Sequence, residues 1–88
     1  MATLIKTDKT REEVIKERWT LKDIYELCGG VALPFPIGRG EVLYSTIDAR
    51  LPINFEATNL LIKRVYGFGS NALTGNCLLM KLSEEPES

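Results

Sequence analysis

The chain has 88 residues, with 11 Lys and Arg against 12 Asp and Glu, no histidine and two cysteines. A chain this short supports one domain with one modest core, burying only about 60–65 % of its unfolded surface. Hydrophobic residues at 44 % and charged residues at 26 % exclude a disordered composition.

The missing histidine removes the commonest general base and the commonest metal ligand. Neither a Ser-His-Asp nor a Cys-His nucleophilic site, nor a His-bearing zinc site, can be assembled within one chain. Cys28 and Cys77 are too few for a Cys₄ site, and each sits in an apolar run. They read as reduced core thiols of a cytosolic protein, although their even number leaves a disulfide open. Lys6 interrupts the opening residues before an apolar signal region forms. The longest uncharged stretch, Leu27 to Gly38, is broken by Gly29, Gly30, Pro34 and Pro36. No membrane span is expected, and the chain reads as soluble and cytoplasmic. Charge is uneven along it: Ser83-Glu84-Glu85-Pro86-Glu87-Ser88 holds three acids, and without them 11 bases face 9 acids. That balance lacks the basic stripe of a nucleic-acid binder, so nucleic acid is not an expected partner.

In chain order, Ala2 to Thr7 mixes β-branched and apolar residues, and Asp8-Lys9-Thr10 supplies a turn. Residues Arg11 to Lys16 then pair back as a second strand, or Arg11-Glu12-Glu13 opens a helix. Thr20 is an N-cap with Asp23 in a near capping box and Trp19 as a staple. Leu21, Ile24, Tyr25 and Cys28 fall on one helical face, and Gly29-Gly30 ends the helix. Val31 to Phe35 is extended, with Pro34 and Pro36 confining it to an edge. Gly38-Arg39-Gly40 turns the chain into a strand over Glu41 to Ser45, and Thr46 to Ile53 connects onward. Asn54 caps a second helix, whose expected apolar stripe is Ala57, Thr58, Leu61, Ile62, Val65 and Tyr66, with Gly67 as its stop. A glycine-rich loop follows to Gly75-Asn76, and the apolar run Cys77 to Leu82 belongs at the centre of a sheet. The expected fold is α+β in ββαββαβ order, a single domain over 1–82 with both helices on one face of a mainly antiparallel sheet. Residues 83–88 are expected to be a disordered acidic tail.

Two features could carry chemistry. Gly69, Ser70 and Asn71 in the glycine-rich loop could present N–H groups and hydroxyls to an anion. Together with Arg50, Lys63 and Arg64 they would make a phosphate-sized site for a nucleotide-like ligand, which a homodimer would complete. The loop lies between a helix and a strand, the reverse of a P-loop's setting. Phe35, Arg39 and Phe68 lie in loop-like or edge segments and are candidates for a partner-binding surface. No spacing forces two carboxylates to converge, so no catalytic residue, metal or cofactor is assigned and the chain reads as a non-enzyme.

Leu4 to Val14, the helix ending Cys28-Gly29-Gly30, the segment Leu51-Pro52-Ile53-Asn54-Phe55-Glu56-Ala57-Thr58 and the later Gly75 carry a family resemblance. The chain resembles a family of small phage and prophage proteins, a domain of unknown function with a Leu-Pro-x-Asn-x-x-Ala-Thr signature. Phe55 departs from the expected Pro, and Lys9 stands where a turn Gly is usual. The resemblance implies a phage-type accessory protein of the host cytoplasm and supplies no catalytic residues. The leading expectation is non-catalytic binding to a host or phage protein, with counter-defence as one setting for it. Sequestration of a nucleotide signal is the alternative.

Overall fold

The computed structural model describes residues 1–46, 48, 50–65 and 72–86. Its elements are β1 (Ala2–Ile5), β2 (Arg11–Val14), α1 (Leu21–Cys28), β3 (Ala32–Gly38), β4 (Glu41–Thr46), α2 (Phe55–Arg64) and β5 (Thr74–Lys81), followed by a 3₁₀ turn over Leu82–Glu84. The fold is α+β in the expected order, and all five strands join one antiparallel sheet ordered β2-β1-β5-β4-β3. β5, with its apolar run Cys77 to Met80, takes the central place that run demands.

The helices do not share a face. Ala2, Leu4, Val42, Tyr44, Leu78 and Met80 pack with Ile24 and Cys28 of α1 and with Trp19. Ile5, Ile37, Leu43 and Cys77 pack with Ala57 and Leu61 of α2. Successive strand residues point to opposite faces, so these two clusters lie on opposite sides of the sheet and each helix covers one. The expectation of a single covered face fails for a physical reason. Val42, Leu43 and Tyr44 are consecutive and all buried, and so are Cys77 and Leu78, which requires cover on both sides. The expected α2 stripe is likewise narrower: Ile62 is exposed, and Tyr66 and Gly67 lie outside the described residues.

Local chemistry punctuates the elements as the residues dictate. Thr20 Oγ1 accepts from the Asp23 N–H at 3.1 Å while Asp23 accepts from the Thr20 N–H at 3.2 Å, a complete capping box. Gly29, at φ +86°, closes α1 by donating to the Tyr25 carbonyl. The β1–β2 turn is tighter than its sequence suits, because Lys9 holds φ +73°. Lys9→Gly removes that conformational penalty and is expected to stabilise the chain by about 0.5–1 kcal/mol, read as a raised urea midpoint.

Both sheet edges are blunted against further strand pairing. Edge strand β3 carries Pro34 and Pro36, which offer no N–H to an incoming strand, and edge strand β2 exposes Arg11, Glu12 and Glu13.

The C-terminal segment differs from a disordered tail over residues 83–86. The 3₁₀ turn folds back, Glu84 pairs with the Met1 amine, and Glu85 Oε1 accepts from the Tyr44 hydroxyl at 2.9 Å. Residues 87 and 88 lie outside the described residues.

Cys28 and Cys77 are buried free thiols. Burial pushes Cys28 up to about 12 and Cys77 up to about 11. Burial, then the Glu85 carboxylate, also raises the Tyr44 phenol. All three keep their protons in the fold, whereas the unfolded chain releases thiol protons from about pH 8.5 and the phenol proton near pH 10. Their contribution is complete below about pH 8.5 and is lost as pH rises towards the folded values. The urea midpoint is therefore expected to fall steadily between about pH 8.5 and 11, and a flat profile would contradict this burial.

Candidate functional site

The segment between β2 and α1 and the folded-back C-terminus enclose an open cleft of about 700 Å³. One wall is the run Lys16 to Leu21 and the other is Ser83 to Pro86. Trp19 anchors the first wall: its ring is buried in the α1-side core, and its indole N–H is buried without a hydrogen-bond partner among the described residues. Lys16 Nζ sits 5.9 Å from the Trp19 ring centroid and 3.3 Å from Asp23 Oδ1. The Thr20 hydrogen bond, helped by Lys16, holds the Asp23 carboxyl below the usual carboxylate range. Tyr44 and the Met1 amine fix the second wall through Glu85 and Glu84.

The cleft carries both signs of charge, with Lys16, Glu17 and Arg18 on one wall and Glu84 and Glu85 on the other. Arg18 makes no ion pair among the described residues. A mixed, partly apolar cleft of this kind suits a polypeptide segment, whose own charges and amides can answer each wall. A phosphate would meet three carboxylates there, Glu17, Glu84 and Glu85. The sequence marks Trp19 only as a staple of α1 and does not reveal the cleft. The available signal was the lone tryptophan directly after Lys16-Glu17-Arg18, an aromatic flanked by both charges.

Of the basic residues expected to form an anion site, Arg50 stands apart from Lys63 and Arg64. Arg50 is turned back on Asp48, donating from Nε and Nη2 at 3.0 Å each, and this fork lowers the Asp48 carboxyl. Arg64 donates to Glu41 at 3.1 Å. Glu41 begins β4, whereas Arg50 lies four residues past its end, so Arg50 and Arg64 sit at opposite ends of a six-residue strand roughly 17 Å long. Lys63 is exposed at the α2 terminus beside Arg64. Gly69, Ser70, Asn71 and Phe68 lie outside the described residues. Phe35 is half-buried and packs against the α2-side core, which removes much of its face from solvent. Arg39 is exposed at the β3–β4 tip at φ +57°, between Gly38 and Gly40.

The Leu-Pro-x-Asn-x-x-Ala-Thr segment builds structure. The buried Asn54 side chain accepts from the Ala57 N–H at 3.0 Å and donates to the Ile5 and Gly75 carbonyls at 2.8 and 2.9 Å. Thr58 Oγ1 donates to the Asn54 carbonyl and accepts from the Leu73 N–H, and Ala57 is small enough to sit fully buried at the sheet. Asn, Ala and Thr at this spacing thus fasten the start of α2 to β1 and β5.

Among the described residues, no cluster of three or more Cys, Asp or Glu could hold a metal ion, and no helix is long and apolar enough to cross a membrane. Compared with family models, curated proteins and solved structures, the chain matches none.

Proposed function

We propose that the chain acts by non-catalytic binding to another protein, as a phage-type accessory protein engaging a host or phage partner. The cleft between Lys16–Leu21 and Ser83–Pro86 carries this reading, because its mixed charges and partly apolar lining fit a polypeptide segment. The separation of Arg50 from Lys63 and Arg64, and the ion pairs that engage both arginines, offer the nucleotide alternative no comparable support.

Arg18 and Leu21 reach the cleft from outside the core, Leu21 being 38 % exposed. The test is affinity capture from host lysate with the wild-type chain beside an Arg18→Glu/Leu21→Glu variant. Partners retained by the wild type should be lost by the variant while circular dichroism shows the same fold. Titration with a captured partner should also shift the emission of Trp19, the only tryptophan. Identical capture by both chains, or none by either, refutes the assignment.

A further inference from the structure

α2 buries Ala57 and Leu61 against the sheet. At 100° per residue the opposite side of the helix carries Phe55, Asn59 and Ile62, and all three are exposed, Phe55 at 58 % and Ile62 at 51 %. An outward stripe with a large apolar residue at each end and an amide between them leaves apolar surface for another chain to cover. From this stripe we propose that two copies of the chain pair through α2, with the helices antiparallel about a two-fold axis near Asn59.

The spacing is self-complementary under such an axis. Phe55 of one copy meets Ile62 of the second copy, Ile62 meets Phe55, and the two Asn59 amides face each other at the centre. Charge selects the same arrangement. Glu56 and Lys63 are two turns apart and share one flank of the stripe. In an antiparallel pair each such flank faces its own reversed copy, so both cross-axis contacts join Glu56 to Lys63. A parallel pair would place the two copies of this flank on opposite sides of the interface, so Glu56 and Lys63 would not meet across it. The helix dipoles also oppose only in the antiparallel arrangement. Glu56 is ion-paired with Arg11 at 3.5 Å yet its side chain remains 39 % exposed, and Lys63 makes no ion pair among the described residues.

A ten-residue helix is about 15 Å long, and two such helices alone bury less than the roughly 1,200 Å² at the lower end of specific interfaces. The dimer is accordingly weak and concentration-dependent. It is independent of the proposed protein-binding cleft, which lies on the α1 side of the sheet. The pair would hold two clefts outward and give a bivalent molecule.

Sedimentation equilibrium on the full chain at low salt tests this between about 5 µM and 1 mM, where the average mass should climb from monomer towards dimer. Phe55→Glu and Ile62→Glu should each abolish the rise while Trp19 emission and circular dichroism stay native. Glu56→Lys and Lys63→Glu should each weaken association roughly three- to tenfold, and the double variant should recover to within about twofold of wild type. The Arg11 contact is altered equally in Glu56→Lys and in the double variant, so recovery reports the contact between copies. Asn59→Cys should form a disulfide-linked dimer on mild oxidation, since Cys28 and Cys77 are buried. A monomer at every concentration, association untouched by Phe55→Glu and Ile62→Glu, or a double variant no better than its parents overturns the proposal.

Discussion

Asn54→Ala is expected to destabilise the chain by about 3–5 kcal/mol, a large share of the stability of a domain this size. Three losses combine. The α2 N-cap bond to the Ala57 N–H disappears, a change costing about 1 kcal/mol. The Ile5 and Gly75 carbonyls each lose a buried donor, and an unsatisfied buried group costs roughly 1–3 kcal/mol. The side chain is itself fully buried, so alanine also leaves a void. An 88-residue domain has roughly 4–13 kcal/mol in total. Urea unfolding followed by Trp19 emission reads the effect. Asn54→Asp separates the parts, because it keeps the cap acceptor but turns a carboxylate towards two carbonyls. That carboxyl is disfavoured in its charged form, so its folded pKa is raised, and the variant should approach wild-type stability below about pH 4 and lose ground as pH rises. A loss under 1 kcal/mol for Asn54→Ala would remove this network from the account.

Gly75→Ala is expected to cost about 2–4 kcal/mol. Gly75 has φ +70° and lies where the β4–β5 register shifts. A Cβ there would sit 3.0 Å from Leu51 Cδ1, 3.2 Å from the Cys28 carbonyl oxygen and 3.4 Å from Thr46 Oγ1. Leu51 can rotate aside. The Cys28 carbonyl ends α1 just before its glycine cap and has little freedom to move. Gly40→Ala is the matched control: it shares a positive φ, +72°, but its added methyl would meet nothing within 4 Å. The control should lose only about 1 kcal/mol, and equal losses at both sites would show that close approach contributes nothing at Gly75.

Local signals were legible and cross-chain ones were not. The Thr20 and Asn54 caps, the Gly29 stop and the central position of the last strand follow from residue type and apolar pattern over a few positions. Which face each helix covers depends on the path of the connections, and periodicity within a helix carries no such information. Ile62 shows the consequence. Its i, i+4 spacing from Thr58 suits a core stripe, yet the sheet meets α2 along Ala57 and Leu61, and Ile62 is left outside. Arg50 parts from Arg64 for a similar reason. They are 14 residues apart, and α2 carries Arg64 to Glu41 at the start of β4 while Arg50 stays beyond its other end. The acidic C-terminal segment looked solvated because its partners, Tyr44 and the Met1 amine, are about 40 and 83 positions away.

The central position of β5 has a consequence for how the molecule comes into being. The strand at the middle of the sheet is the one translated after all the others, and β1 and β4 have no hydrogen-bonded link until it arrives. Before then the growing chain can form two separate hairpins and two half-covered helices, each with an apolar face open to solvent or to a chaperone. Assembly is thus withheld until β5 threads between β1 and β4, and its pairing with β1 closes a loop of more than 70 residues. Such long-range closure favours slow, all-or-none folding, so a nascent chain stalled before Thr74 would be a target for proteolysis.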